Sequence, residues 1–232
     1  MSDEPQKTIV VKIGGSTLGS GDTSLEDLVA LQKKGCLPVV VHGGGPAVSD
    51  WLDRMGIPTR FEKGLRVTDA RSLEVVIAVL AGLVNKGLVA EIGHWGGRAM
   101  GLSGLDGQLI RARVGDPALE YVGEITEINL EPLQAVLGAG YIPVIAPLAF
   151  GAGEKGWGSP TGALNVNADT AAGEISAALG GDKLIFLTDV TGISDGGGAT
   201  IPHLSPEEAR GLISSGVASG GMIPKIEASL RA

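Results

Sequence analysis

The stretch VVVHGGGPAV, residues 39–48, decides how this chain is read. Val39, Val40 and Val41 form a β-branched run of the kind that suits a buried strand. The run ends at His42, three glycines follow, and Pro46 opens a helix-like segment where a missing N–H is harmless. A strand passing through glycines into a helix is the corner of an α/β unit. Such a corner leaves backbone N–H groups bare at a helix N-terminus, where an anion can be received. A tight turn with no ligand accounts for the same glycines. Two nucleotide motifs do not match. Val48 stands where G-x-G-x-x-G needs its last glycine, and no glycine-rich loop ends in Gly-Lys-Ser/Thr.

Outward from that corner the same alternation repeats. TIVVKI (8–13) and LPVVV (37–41) read as strands around the helix SLEDLVALQKKG (24–35), whose Leu25, Leu28, Val29 and Leu31 share one face. Residues 46–55 form a second helix. Thr68 or Asp69 caps a long one through SLEVVIAVLAGLVNKGLVAEI (72–92), and residues 98–102 suggest a strand. LIRARV (109–114) and YVGEITEI (121–128) alternate apolar and polar residues, as half-exposed strands do, and look like an antiparallel appendage. LEPLQAVLGAG (130–140) is a helix, YIPVIAPLAF (141–150) one buried strand, and residues 149–162 a glycine-rich loop that suits a flap. Asp169 caps the helix TAAGEISAALG, KLIFLTDV (183–190) is a strand, and SPEEARGLISSG (205–216) and GMIPKIEASLRA (221–232) are helices. Near-continuous apolar strands alternating with helices predict an α/β fold with a mainly parallel sheet covered on both faces. No internal repeat or linker is visible.

Composition agrees. The 232 residues allow one large α/β domain or two small ones, with 44% hydrophobic and 19% charged residues as in soluble globular proteins. Aromatics are 3%, so the core must be built from Val, Ile, Leu and Ala. A single cysteine, Cys36, rules out an intrachain disulfide and suits a reducing cytoplasm; beside the run 37–41 it reads as a small core residue. The formal net charge of −8 argues against nucleic acid as a partner. The start MSDEPQK is no secretory signal, and the apolar run 75–84 is too short to span a bilayer.

The polar residues that stand out lie at predicted strand ends, where parallel α/β sheets bind ligands. Lys12 precedes Gly14 and Gly15. A lone ammonium there is costly unless an anion sits above it or it snorkels into water. Arg66, in the loop GLRVTD (64–69), offers a planar fork for a carboxylate, or a surface salt bridge. Asn165, Asn167 and Asp169 alternate within NVNADTAA (165–172). Asp169 alone is a helix cap, whereas the three together can line one side of an extended segment. Thr188 and Asp189 end another strand, and Lys225 lies in the first turn of the last helix with no obvious partner.

VVKIGGS, VVVHGGGPAV, GLRVTD, LNVNADTAA, LTDVTGI and GGMIPKIEA, in that order, resemble the acetylglutamate kinases of the amino acid kinase family over nearly the whole chain. The resemblance implies a three-layer αβα open sandwich. Residues 1–175 would form an acceptor-binding and dimerisation lobe, and residues 176–232 an ATP-binding lobe shortened at its C-terminus. It implies a cytoplasmic homodimer in arginine biosynthesis that phosphorylates the γ-carboxylate of N-acetyl-L-glutamate with ATP. Mg²⁺ would be held mainly by the nucleotide phosphates, with no metal site on the protein and no nucleic-acid or membrane partner. Gly44 and Gly45 would approach the acceptor, with Arg66 and Asn165 on its α-carboxylate. Lys12 and Lys225 would flank the phosphoryl group, oriented by Asp169. Gly14, Gly15, Thr188, Asp189, Gly192, Ser219 and Met222 would serve the nucleotide, and the segments 189–194 and 217–219 would line its site. The few residues before the first strand imply a dimer not inhibited by arginine, and the apolar helix 73–89 its dimer face. GLSGLDG (101–107) also resembles relatives that act on carrier-linked glutamate or aminoadipate, and a ligand-binding relative without turnover is a third reading.

Overall fold

The computed structural model describes residues 6–15, 23–62, 64–151 and 162–232. The chain opens with β1 (Thr8–Ile13), α1 (Ser24–Lys33), β2 (Leu37–His42) and α2 (Gly45–Arg54). A hairpin of β3 (Phe61–Glu62) and β4 (Leu65–Arg66) leads to α3 (Ala70–Ile77), so Arg66 sits on a short strand rather than in a loop. A π-helical turn, Ala78–Val84, joins α3 to α4 (Asn85–His94) in one continuous helix. Then come β5 (Ala99–Ser103), β6 (Ile110–Val114), β7 (Gly123–Ile128), α5 (Glu131–Gly138), β8 (Ile142–Ala146), β9 (Leu148–Gly151) and β10 (Ala163–Asn165). The chain closes with α6 (Ala168–Leu179), β11 (Lys183–Leu187), α7 (Pro206–Ser214) and α8 (Met222–Arg231).

The central sheet has the order β11-β1-β2-β8-β5 and every pairing in it is parallel. Successive residues of a strand point to opposite faces, and both faces are apolar here. Val10, Val39, Val41 and Ile145 pack with Leu133 of α5 and with Ala171, Ala172 and Ile175 of α6. Ile9, Val11, Ile13, Val40, Ile142 and Val144 pack with Leu25 and Leu28 of α1 and with Leu88 and Ile92 of α4. This gives the expected three layers. A second sheet, β10-β9-β6-β7, contains the expected antiparallel pair β6–β7, with a bulge between Arg111 and Ala112.

Three expectations are corrected. Residues 141–150 are two strands in two sheets, because Pro147 has no N–H for a ladder and the chain crosses between sheets there. Residues 149–151 belong to β9 rather than to a loop, and the rest of the expected flap, 152–161, lies outside the described residues. The cap of α6 is Asn167, not Asp169: its side chain accepts from the Asp169 N–H at 2.8 Å and the Thr170 N–H at 3.0 Å. Asp169 is thereby released for another role. At the long helix, Asp69 is the cap, accepting from the Ser72 N–H at 2.7 Å.

The helix Ala70–His94 has 25 residues and the length and composition to cross a bilayer, although 39% of its most apolar window is buried. As expected, it runs on through Asn85 and Lys86. Asn85 is fully buried and its amide is hydrogen-bonded to neighbouring strands.

Candidate active site

Lys12 has the same parity on β1 as Val10, so it emerges on the face covered by α6. There its Nζ lies 2.8 Å from Asp169 Oδ1, an ion pair out of line for a hydrogen bond, with both side chains 9% exposed. Lys225, from the first turns of α8, donates to the other oxygen, Oδ2, at 3.0 Å. The lone lysine and the partnerless lysine of the sequence thus share one carboxylate. A buried carboxylate needs such partners. Two ammonium groups on one carboxylate carry a net positive charge, held between β1, α6 and α8.

The two glycine loops meet beside this trio. Gly43 donates its N–H to Ile13 O at 2.8 Å, and Gly14 donates to Leu187 O at 2.9 Å, so both turns extend the parallel ladder. What keeps the loops bare differs from glycine to glycine. A Cβ on Gly15 would stand 2.9 Å from Pro46 Cδ and 3.0 Å from Gly44 N. A Cβ on Gly44 would stand 2.5 Å from Leu80 Cδ2 in the π turn. A Cβ on Gly45 would meet nothing within 4 Å. Close packing therefore explains Gly15, the backbone at φ 157° together with Leu80 explains Gly44, and open space lies over Gly45. The buried Gly44 N–H has no acceptor among the described residues.

That open space belongs to a cavity of about 190 Å³ lined by Gly43, Gly44, Gly45, Arg66, Asn165 and Asn167, with apolar walls from Val48 and Leu80. Arg66 is 9% exposed and donates to Gly45 O at 3.0 Å, Ser49 Oγ at 2.7 Å and Thr59 Oγ1 at 3.3 Å. Its guanidinium also stacks over Phe61, 4.8 Å from the ring centroid. All these partners are neutral, and burial lowers the Arg66 pKa. A fixed cation without a carboxylate partner among the described residues faces this cavity. Asn165, which lines the same cavity, donates to Thr68 Oγ1 at 3.1 Å.

A second cavity, about 460 Å³, is lined by Phe186, Thr188, Asp189, Gly192, Ser219, Met222 and Lys225 among others. It therefore gathers five of the seven residues expected to serve a nucleotide. Gly14 and Gly15 line neither cavity, and of segment 217–219 only Ser219 does. No residue of the segment 101–107 lines either cavity.

Sequence reasoning missed Phe61 and a buried polar chain under the glycine loop. His42, fully buried, has Nδ1 2.7 Å from Gly43 O and Nε2 3.2 Å from Asn85 Nδ2. Burial is the main reason its pKa falls to about 4. A histidine ending a valine run and an asparagine inside an apolar helix were the available signals. Their pairing across the fold was not.

The trio offers no activated nucleophile. It offers paired positive charge, with Lys225 on the wall of the larger cavity and Asp169 next in sequence to Ala168 of the smaller, and such charge suits the transfer of a phosphoryl group. Fold and site together define a phosphotransferase. The chain belongs to the amino acid kinase family, whose match spans residues 7–232. It is 45% identical over 224 residues to the acetylglutamate kinase of Dehalococcoides mccartyi, covering 97% of this chain and 82% of that one. To the acetylglutamate kinase of Nostoc sp. it is 47% identical over 232 residues, covering 97% and 76%. Among solved structures, smu.665 from Streptococcus mutans superposes with a TM-score of 0.84 at 31% identity, covering 97% of this chain and 89% of that one.

Proposed function

We propose that the protein phosphorylates the γ-carboxylate of N-acetyl-L-glutamate with ATP, giving N-acetyl-L-glutamyl 5-phosphate and ADP in arginine biosynthesis. The observation that carries this reading is the Lys12–Asp169–Lys225 trio. Asp169 adjoins Ala168, which lines the smaller cavity, and Lys225 lines the larger one. The smaller cavity takes the acceptor, with its α-carboxylate on Arg66 and Asn165 and the Gly44 and Gly45 backbone against it. The larger takes ATP through Thr188, Asp189, Gly192, Ser219 and Met222, with Gly14 and Gly15 beneath the phosphates.

A carboxylate is ionised at neutral pH, so no base is needed. One of its γ-oxygens attacks the γ-phosphorus, the bond to the bridging oxygen breaks, and ADP leaves with that electron pair. Lys12 and Lys225 neutralise charge building on the transferring oxygens, and Asp169 keeps both ammonium groups aimed. Among the described residues no three His, Cys, Asp or Glu side chains converge. Mg²⁺ carried by the nucleotide phosphates would add charge neutralisation there.

We also propose that residues 1–175 serve the acceptor and dimerisation and residues 176–232 the nucleotide. The helix Ala70–His94 is read as a core helix whose outer face, with Leu83 55% exposed, joins two copies in a cytoplasmic homodimer. The test is ADP release with MgATP and N-acetyl-L-glutamate, beside free glutamate and no acceptor, with hydroxylamine trapping the acyl phosphate. Turnover only with the acetylated substrate is expected. Equal turnover with free glutamate, or none with either, refutes the reading.

A further inference from the structure

The chain His42–Asn85–Lys86 plays no part in the proposed transfer, yet it ends on the peptide that faces the acceptor cavity. Its proton positions follow from its neighbours. Asn85 Nδ2 lies 2.8 Å from Val144 O and 3.1 Å from Leu102 O, both of which only accept. The amide Oδ1 accepts from Lys86 Nζ at 3.0 Å, and that ammonium also donates to Gly101 O at 3.1 Å. The orientation of the amide is thus fixed, with Nδ2, which cannot accept, facing His42 Nε2 at 3.2 Å. Gly43 O can only accept, so the single imidazole proton sits on Nδ1 and is donated to it; Nε2 is bare, since an N–H there would meet no acceptor in the amide.

The consequence reaches the site through one rigid unit. Gly43 C=O and Gly44 N–H belong to the same planar trans peptide and point in opposite directions. Holding the oxygen against His42 therefore aims the Gly44 N–H away from it. That N–H is buried, lacks an acceptor among the described residues, and belongs to a residue lining the smaller cavity. The π turn presses on the same peptide from outside, with Leu80 over Gly44, and delivers Asn85 at its end.

We propose that His42 and Asn85 are positioning residues for the acceptor: they lock one imidazole tautomer, which orients the Gly43–Gly44 peptide so that its N–H meets the bound carboxylate. This rests on reading the smaller cavity as the acceptor site. Two substitutions separate the roles of the two ring nitrogens. His42→Asn keeps an N–H donor as many bonds from Cα as Nδ1, whereas His42→Gln keeps one only at the Nε2 position. The expectation is an acceptor KM raised about tenfold in His42→Gln and by less than about threefold in His42→Asn, with the KM for ATP unchanged in both. Equal shifts in the two variants, or parallel shifts in both KM values, overturn the proposal. Long-range ¹⁵N–¹H correlation on the wild-type protein tests it without mutation. A neutral Nδ1–H tautomer of His42 is expected, and Nε2–H refutes it. Wild-type enzyme that fails to turn over N-acetyl-L-glutamate would instead sink the acceptor reading and leave the tautomer result standing by itself.

Discussion

Replacing Lys12 by Met tests the division of labour within the charged trio. The variant keeps an unbranched stem of similar length and deletes the ammonium that sits 2.8 Å from Asp169. If that ammonium acts on the transferring phosphoryl group, its loss removes one preorganised donor, about 2–4 kcal/mol of transition-state stabilisation. At about 1.4 kcal/mol per factor of ten, kcat falls roughly 30- to 1000-fold, while both KM values stay within about threefold. Stability should move much less. Asp169 still has Lys225 on its other oxygen at 3.0 Å, so no buried charge is left alone. Asp169→Asn reverses the balance. It is nearly isosteric, but it leaves two ammonium groups facing one neutral amide. Orphaning buried charge costs about 3–5 kcal/mol, toward the lower end here because the Lys225 side chain is 23% exposed. ADP-release kinetics and urea unfolding of both variants decide the matter. A Lys12→Met enzyme with kcat within about fivefold of wild type would refute the catalytic role, and one that unfolds as readily as Asp169→Asn would refute the ledger of charges.

Other consequences can be checked in the same preparations. Gly45→Ala adds a methyl group to open space at the start of α2, so stability should hold or rise by about 0.5 kcal/mol while acceptor KM increases. Gly44→Ala drives its methyl group into Leu80 and should cost about 1–3 kcal/mol in urea unfolding. Arg66→Gln should raise acceptor KM by tenfold or more through loss of a charge-assisted contact of about 1.5–3 kcal/mol, with ATP KM unchanged. Native His42 resists protonation down to about pH 4, whereas an unfolded chain takes that proton near 6.5. Its contribution is complete above pH 6.5 and is lost as pH falls from there to about 4, in total about 3 kcal/mol. Urea unfolding of wild type and His42→Asn at pH 7.5 and 5 should show a steeper loss in the wild type, and parallel losses would contradict the buried neutral imidazole.

How far the sequence could be read depended on whether a signal was local. β1 ended where expected and β2 one residue later, at His42, because apolar runs bounded by glycines leave little freedom. The strands β8 and β9 were merged because both begin as buried runs, and only Pro147 marked the crossing. The π turn was invisible because the segment 75–84 is apolar on every face, so an extra residue in the helical period leaves no trace. Asn167 and Asp169 are both good caps, and nothing local says which one caps. What separates them is a lysine 56 positions away. The site residues were recognisable as motifs, but two of the glycines proved to be bare for packing reasons, against Pro46 and Leu80.

The trio of Lys12, Asp169 and Lys225 also bears on how the protein is made. Its members come from β1, α6 and α8, so the charge cluster joins residues far apart in sequence and is a contact of high order. A nascent chain still being synthesised can pair β1 with β2 and cover them with α1, yet it cannot close the trio until α8 has docked on α6. Until then Asp169 serves one lysine, and the groove beside Lys225 has no far wall. On the proposed role of the trio, a chain in which α8 has not yet docked on α6 should not turn ATP over.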